Sequence, residues 1–587
     1  MTNEQSEGII TQNNMLNNAV GRRGQNRGQD NFKRNEPAKD NLKVIFLGGV
    51  GEVGKNMTAL EYGDDIIIID SGMGFPDNDM LGIDCVVQDI SYLVERKSKV
   101  RGIFITHGHE DHIGSLPYIL PQLNVPIYGS RLTMGLAERK LREHPIKYTA
   151  KSVEAGSVIA AGKFKVEFIQ VTHSIPGSMM LAVFTPVGTV IHSGDFKIDL
   201  TPVGQERMDL ARLAELGKKG VLLLLCESTN VERDGFSMSE REIGKTFETL
   251  FMKHKDKRIF ITAFASNVHR MQQAIDLATK TGRKIFVLGR SMIDTLDIAT
   301  KIGEMKYDKK LICEIENIDK YKDSEVLVIL TGSQGQETSA LYRLSVDNFP
   351  KAKLGSGDTI IISASAVPGN EKAINDVINN LVMMGCDVVY NEIADVHVSG
   401  HAYRDELKLI HALTKPKFFM PVHGEHKHLK VHKEMAIELG MQERNIIVPT
   451  IGACVEVNQN LLKFAGQVRA GERLVDGFGL GDTESVVLRD RKVLSEEGIC
   501  VVFMSIASRT GEIENGPEII SRGFIYQEEA GELISEAKEA LRSQLEKMEL
   551  KGLDVAEVKA AVRKVASGYF FKKTKRRPMI ITIVNYV

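Results

Sequence analysis

The chain has 587 residues, of which 43% are hydrophobic and 26% are charged, and its formal net charge at pH 7 is −2. This length is too great for one hydrophobic core, so we expect roughly two to four domains. The small net charge excludes a protein that attracts polyanions with its whole surface, so such a partner must bind at a local patch. Six scattered cysteines without a CxxC pair argue against disulfides or a thiolate zinc site and favour the reducing cytoplasm.

Two patterns of secondary structure alternate along the first 465 residues. Residues 1–40 are polar, and we predict a disordered tail there. Apolar strands with short helices follow over 41–235, and the same pattern resumes over 391–465. Between them, over 236–390, longer helices alternate with apolar strands, which predicts an inserted α/β domain with a parallel sheet. The apolar runs are too short to cross a bilayer, so we expect no membrane partner.

The last part of the chain predicts a separate small domain. A glycine-rich linker over 466–490 leads to a predicted α+β domain over 491–587. Its expected elements are strands near "KVLSEEGICVVFMSI" and "IISRGFIY", an amphipathic helix over 528–547 and a closing strand "MIITIVNYV". An apolar strand at the chain end has an edge that needs a partner. We therefore expect a homodimer or homotetramer that uses this domain.

The stretch "THGHEDHIGS" carries the strongest functional signal. Three histidines and an aspartate follow an apolar strand within six positions: His107, His109, Asp111 and His112. Alternate residues leaving a strand point the same way, so His107 and His109 can bind one ion. Imidazole and carboxylate without thiolate suit zinc or another borderline divalent cation in a catalytic site. A hydrogen-bonded surface histidine would explain one of these residues but not three.

Four other polar residues end apolar strands elsewhere in the chain. Asp70 ends "IIIID", His173 ends "FIQVTH", Asp195 follows "VIHSG" and His423 follows "FFMPV". Each is weak evidence alone, because strand ends are commonly polar. Together they repeat one pattern, and α/β layers hold their sites at the carboxyl ends of strands.

These motifs resemble the metallo-β-lactamase superfamily, whose fold is a four-layer αββα sandwich with a two-metal site. The resemblance implies two Zn²⁺ per subunit, with Mn²⁺ or Mg²⁺ as substitutes in assays. The first ion would be bound by His107, His109 and His173. The second would be bound by Asp111 and His112, with Asp195 bridging the two ions, and one of the further motifs described next adds His423 to the second ion. Asp70 would orient the loop that carries the histidines.

Three further motifs are similar to those of the β-CASP nucleases within this superfamily. They contain Glu227 in "LCEST", His401 in "VSGHA" and His423 in "PVHGE". The resemblance covers roughly residues 40–587 and points to bacterial ribonucleases of this group. It implies that residues 236–390 form a β-CASP domain inserted into the sandwich. His401, held by Glu227, would protonate the leaving oxygen, and Asp111 would orient the attacking water or accept its proton.

Substrate contacts are expected from one segment and two serines. The resemblance implies contacts from the segment His397, Val398, Ser399, Gly400 and His401. Ser333 and Ser365 follow strands of the inserted domain and are candidates for binding a backbone phosphate or a 5′ monophosphate, with simple turn serines as the alternative. The resemblance also suggests the acidic run 75–84 with Asp476 as a candidate for a structural Ca²⁺, with an exposed loop as the alternative. We expect the remaining histidines of the next helix, His426, His428 and His432, to be solvated.

The leading hypothesis is a zinc-dependent ribonuclease acting on single-stranded RNA. The resemblance implies endonuclease and 5′→3′ exonuclease activity, a preference for 5′-monophosphate ends, and action in mRNA decay and rRNA maturation, with an RNA-degradation complex as a candidate partner. A metal-activated hydroxide as nucleophile predicts 5′-phosphate products. The alternatives are a DNA-directed β-CASP nuclease and a small-molecule metallo-hydrolase, which rarely needs so long an insertion.

Overall fold

The computed structural model describes residues 41–77, 79–204, 207–367, 369–477, 479–481, 485–525, 527–548 and 554–587. The tail predicted over 1–40 lies outside these ranges. In the part of the chain described, no helix is both long enough and apolar enough to span a membrane.

The first part of the chain is built mainly from β-strands. Its strands are β1 (Leu42–Gly48), β2 (Met57–Tyr62), β3 (Asp65–Ile69), β4 (Cys85–Gln88), β5 (Val100–Phe104), β6 (Ile127–Gly129), β7 (Ala150–Ser152), β8 (Val158–Ala161), β9 (Phe164–Gln170), β10 (Met179–Thr185), β11 (Gly188–His192) and β12 (Val221–Glu227). Its helices are α1 (Ser91–Glu95), α2 (Glu110–Ile113), α3 (Leu116–Leu123), α4 (Arg131–Arg142) and α5 (Leu210–Lys219).

An inserted unit follows, and the chain then returns to the first part. The elements of the inserted unit are α6 (Glu240–Lys253), β13 (Arg258–Thr262), α7 (Val268–Thr281), β14 (Lys284–Leu288), α8 (Arg290–Ile302), β15 (Val326–Leu330), α9 (Ala340–Ser345), β16 (Asp358–Ile362), α10 (Glu371–Met383) and β17 (Asp387–Val389). The returning elements are α11 (Arg404–Thr414), β18 (Phe418–Val422), α12 (His426–Glu438), β19 (Ala453–Asn458) and β20 (Leu461–Gln467).

Two facing sheets form the sandwich. Their strand orders are β20-β19-β1-β2-β3-β5-β6-β7 and β18-β12-β11-β10-β9-β8. The apolar run of β3 supplies both faces of its sheet: Ile67 and Ile69 enter the core between the sheets, while Ile66 and Ile68 pack toward α1, α3 and α4. On the outer face of the second sheet, α5, α11 and α12 close another core. This is the αββα order that the sequence predicts.

The inserted unit has its own parallel sheet, ordered β14-β15-β13-β16-β17. Helices lie against both faces of this sheet, and a separate apolar core lies on each side. The predicted class of the insertion, a parallel α/β unit, is confirmed.

The C-terminal part combines short strands and long helices. Its elements are β21 (Glu472–Asp476), β22 (Gly479–Gly481), α13 (Ser485–Glu497), β23 (Ile499–Ile506), β24 (Ile513–Arg522), α14 (Gln527–Glu546), α15 (Val555–Thr574) and β25 (Met579–Tyr586). The predicted helix over 528–547 corresponds to α14, and a second helix, α15, packs on the sheet β24-β23-β25 beside it.

Two features of this part differ from the expected elements. The residues 485–497, partly predicted as strand, form α13, and Gly498 with φ +75° ends the helix before β23 begins. Within the segment predicted as a linker, β21 pairs antiparallel with β4, so these residues are joined to the sandwich by a backbone ladder.

Candidate metal centre

The metal-type side chains meet where strands of both sheets end. The parallel strands β3 and β5 lead to Asp70 and His107, and the parallel strands β11, β12 and β18 lead to Asp195, Glu227 and His423. Parallel neighbours end at the same edge of a sheet, so side chains far apart in the chain converge there. Within the described ranges, the groups that fit a metal ion all lie in this cluster.

Three imidazole rings form the first group, which consists of His107, His109 and His173. Nδ1 of His109 lies 3.0 Å from Nε2 of His107 and 3.2 Å from Nε2 of His173. Burial lowers the pKa of all three histidines, that of His109 to about 4, so the rings are neutral. Three neutral rings with their nitrogens aimed at one point present lone pairs to a cation.

A second group consists of Asp111, His112, Asp195 and His423. Oδ2 of Asp195 lies 3.2 Å from Nε2 of His112 and 3.3 Å from Nε2 of His423. The same oxygen is 3.7 Å from Nε2 of His107, so Asp195 stands between the two groups. Among the described residues, no hydrogen-bond partner faces the buried Oδ1 of Asp195. A buried carboxylate oxygen without a partner is costly, and this one fits a bound cation.

Asp70 fixes the orientation of His112. Its carboxylate accepts hydrogen bonds from Nδ1 of His112, at 2.8 Å, and from the backbone N of Thr106, at 2.7 Å. Nε2 of His112 therefore faces the cluster. Asp70 itself has φ +62°, a conformation uncommon for a residue other than glycine, and its carboxylate contacts hold it there.

Asn56 orients His423 as Asp70 orients His112. This role was not predicted from the sequence. Oδ1 of Asn56 accepts from Nδ1 of His423 at 2.8 Å, and its Nδ2 donates to the carbonyl of Asp111 at 3.1 Å. The bond to Nδ1 turns Nε2 of His423 toward Asp195. The run "GKN" reads as an ordinary polar turn, so no sequence signal marks this residue.

Glu227 and His401 form a pair beside the cluster. Nδ1 of His401 donates to Oε2 of Glu227 at 2.8 Å, and the same nitrogen is 3.8 Å from Oδ2 of Asp195. Burial opposes protonation of His401, but the charge and hydrogen bond of Glu227 outweigh it and raise the pKa to about 9. His401 thus holds a proton, and its side chain is 24% exposed, so it can meet a substrate.

The segment from His397 to His401 lies along the cluster. The carbonyl of Gly400 accepts from Nδ1 of His173 at 2.6 Å. A Cβ at Gly400 would stand 2.8 Å from the ring of His173, so this close approach requires glycine. His397 is half-buried, whereas Val398 is buried and supports the segment from below. Ser399 accepts through Oγ from Nδ2 of Asn230 at 2.7 Å.

Arg270 fixes His397 at the start of the segment. Its guanidinium donates to Nδ1 of His397 at 3.1 Å and makes an ion pair with Glu240 at 2.7 Å. Burial, followed by the charges of Arg270 and Lys197, lowers the pKa of His397 to about 3. The neutral ring that results keeps Nε2–H as a donor.

The two candidate serines of the inserted unit lie together, and both stay predictions. Ser333 is buried and Ser365 is half-buried, and Gln334 donates to the carbonyl of Ser365 at 2.9 Å.

The groups in the described residues that fit a metal do not include the candidate calcium ligands. Asp84 instead accepts from the backbone N of Gly477, and Asp476 pairs with Arg491.

One prediction about α12 is wrong. His426 is exposed, as expected, but His428 and His432 are buried. They share one helix face with Leu429 and Met435, because residues four apart point the same way. Nδ1 of His432 forms a hydrogen bond of 2.9 Å with Oγ of Ser228, the residue that follows Glu227.

The sandwich, the inserted unit and the histidine–aspartate cluster define a metal-dependent nuclease of the metallo-β-lactamase and β-CASP type. Family models match in four places: the Metallo-beta-lactamase superfamily over 50–210, the Ribonuclease J beta-CASP domain over 256–381, the Zn-dependent metallo-hydrolase RNA specificity domain over 387–449 and the Ribonuclease J C-terminal domain over 486–587.

Relatives that align with almost the whole chain identify the family more narrowly. The chain is 39% identical to Ribonuclease J2 of Bacillus subtilis over 552 residues, covering 93% of this chain and 99% of that protein. It is 40% identical to Ribonuclease J 1 of Streptococcus pyogenes, covering 92% and 97%, and 38% identical to Ribonuclease J of Thermus thermophilus, covering 93% and 95%. The chain belongs to the ribonuclease J family.

A solved structure supports the fold alone. A protein of unknown function from Enterococcus faecalis aligns with a TM-score of 0.51 and 16% identity, over 71% of this chain and 100% of that one.

Proposed function

We propose that this protein is a zinc-dependent ribonuclease that cuts single-stranded RNA internally and also degrades it 5′→3′, with a preference for 5′-monophosphate ends. The observation that carries the proposal is the Glu227–His401 pair beside Asp195, with a hydrogen bond of 2.8 Å. A small-molecule hydrolase has no evident use for this pair, whereas phosphodiester cleavage needs a proton donor for the leaving oxygen.

The residues of the site have different tasks in the reaction. Bound divalent cations would neutralise the phosphate and lower the pKa of the attacking water. Asp111, whose side chain is 23% exposed, orients the water or accepts its proton, besides belonging to the second group. His401 donates its proton to the departing 3′ oxygen, and Glu227 keeps the ring in place. The products are then a 5′-phosphate and a 3′-hydroxyl.

The segment from His397 to His401 positions the RNA backbone. Nε2–H of His397, the hydroxyl of Ser399 and the backbone amides around Gly400 are donors on the same stretch of chain, next to His401. Donors of this kind suit phosphate oxygens and leave the base sequence unread. Ser333 and Ser365 are the residues we propose for a 5′-terminal monophosphate.

The cellular role follows from this activity. We propose action in mRNA decay and rRNA maturation in the cytoplasm, alone or within an RNA-degradation complex.

A homodimer or homotetramer through the C-terminal part has support in the exposed apolar residues Ile581 and Ile583 of the edge strand β25. Light scattering of the full chain, and of the chain ending at residue 484, tests this assembly.

The activity is tested with internally labelled RNA that carries either a 5′ monophosphate or a 5′ triphosphate. We expect mononucleotides to form faster from the monophosphate RNA, together with internal cuts in both. His401→Ala should lose both activities, whereas His426→Ala, which changes an exposed histidine nearby, should retain them. Cleavage of DNA but not RNA, or turnover of only small esters, would overturn the proposal. Metal content of the purified protein decides between zinc and manganese.

A further inference from the structure

The loop 231–238 lies beside the catalytic pair and is firmly held although its tip is exposed. The backbone N of Arg404 donates to the carbonyl of Arg233 at 2.8 Å, and the N of Asp405 donates to Gly235 at 3.1 Å. The buried carboxylate of Glu406 accepts from the N of Ser237 at 2.8 Å. The loop is therefore a rigid part of the site.

This rigid loop presents a cation and an aromatic ring to solvent. Arg233 is exposed, and 56% of Phe236 is exposed. Binding residues are found disproportionately on loops that a rigid scaffold holds in place. Neither residue is used by the metal cluster or by the proton donor.

Tyr403, which follows the segment from His397 to His401, lies against the start of this loop. It follows His401 by two residues, its backbone is extended with φ −83° and ψ 173°, and Ala402 between them is fully buried. Tyr403 therefore stands two residues along the chain from His401, with one buried residue between them. The backbone of Asn230 pairs with that of Tyr403 and fixes this register.

Arg233 and Tyr403 contact each other directly. The guanidinium donates to the hydroxyl of Tyr403 at 3.1 Å, and its carbon lies 5.6 Å from the ring centroid. Asn230, in the turn before the loop, donates to Ser399 and to the carbonyl of His401. After burial and nearer cations, the charge of Arg233 also lowers the pKa of His397. Asn230 and the charge of Arg233 thus connect this loop to the segment from His397 to His401.

We propose that Arg233 and Tyr403 form a stacking subsite for one nucleobase of the RNA next to the scissile phosphate. Unpaired bases stack on aromatic rings and on guanidinium planes, and such contacts tolerate every base because each has a π-face. The inference rests on the proposed function, because it takes single-stranded RNA as the ligand.

The test is an abasic scan in a variant that does not cut. In the full-length His109→Ala background, RNA binding is measured with oligonucleotides that lack one base at successive positions. At one position the loss of the base should weaken binding about tenfold. Adding Tyr403→Ala should weaken binding of the intact RNA by a similar factor and abolish the effect of that abasic position. A merely structural role for Tyr403 would lower affinity equally at every position.

Matched variants complete the test. Tyr403→Phe keeps the ring and should bind like the parent, while Arg233→Gln should weaken the same position only. Phe464→Ala, at an exposed aromatic residue of β20, should change nothing. An abasic profile unchanged by Tyr403→Ala would overturn the subsite. Wild-type cleavage of the same RNA is followed in parallel, and its absence would overturn the proposed function instead.

Discussion

Nδ1 of His423 lies 2.8 Å from Oδ1 of Asn56, although 367 positions separate the two residues. The contact joins the glycine-rich turn after β1 to the end of β18, and the same amide donates to the carbonyl of Asp111. One uncharged side chain thus aligns two members of the second metal group.

Asn56→Ala should weaken binding of one metal ion by about 10- to 100-fold, because His423 loses the partner that fixes its ring. The measurement is competition for the metal with a chromogenic chelator. Asn56→Asp keeps the acceptor for His423 and should retain more affinity than the alanine variant. Equal affinity in the wild type and in Asn56→Ala would contradict this role.

His401→Ala should lower kcat by about 10²- to 10⁴-fold, because the leaving oxygen loses its proton donor. Glu227→Gln should cause a smaller loss, since the amide still holds the ring but without charge. The double variant should be no worse than His401→Ala, because the two residues act as a unit. Additive losses in single-turnover assays would show that they act separately.

Removal of the metal should lower the melting temperature by several degrees, on the order of 5 °C, because bound ions stabilise only the folded chain. Addition of Zn²⁺ or Mn²⁺ should restore the transition, measured by calorimetry with and without a chelator. His107→Ala, which lacks a member of the first group, should respond less to the chelator. A melting temperature that ignores the chelator would contradict a resident metal.

The buried pair His411 and His432 predicts a loss of stability in acid. Their Nε2 atoms lie 3.3 Å apart, and burial lowers the pKa of His411 to about 4 from an ordinary 6.5. Between these values the unfolded chain binds more protons than the folded chain, so the free energy of unfolding falls as the pH drops through this window.

His411→Gln should therefore weaken this pH dependence by up to about 1.4 kcal/mol per pH unit. Urea unfolding at pH 7 and pH 5 measures the change. His426→Gln, at an exposed position of α12, should keep the wild-type dependence. The same dependence in both variants would refute the buried-histidine explanation.

Most members of the metal cluster could be predicted from the sequence, because they stand at the ends of apolar strands. The runs that lead to Asp70, His107 and His173 are visible as "IIIID", "GIFITH" and "FIQVTH", and parallel pairing brings such ends together. The hydrogen-bond partners that orient these side chains have no comparable sequence pattern. Asn56 sits in a polar turn, and its meeting with His423 depends on the closed sandwich.

Local polarity misled the expectation for α12. His428 and His432 stand among lysines and a glutamate, which suggested a solvated helix. The buried residues recur with the helical period, and the stripe that contains them faces the second sheet. In the C-terminal part, the strand expected at "KVLSEEG" is α13, because Gly498 separates a helix from the strand that follows.

The most direct test of the central claim is cleavage of RNA in H₂¹⁸O with metal-loaded protein, followed by mass spectrometry of the new ends. Attack by water at the site around Asp195 predicts one ¹⁸O atom in each newly formed 5′-phosphate and a plain 3′-hydroxyl, with no product from His109→Ala. A 2′,3′-cyclic phosphate, or a 5′-phosphate without ¹⁸O, would contradict the account.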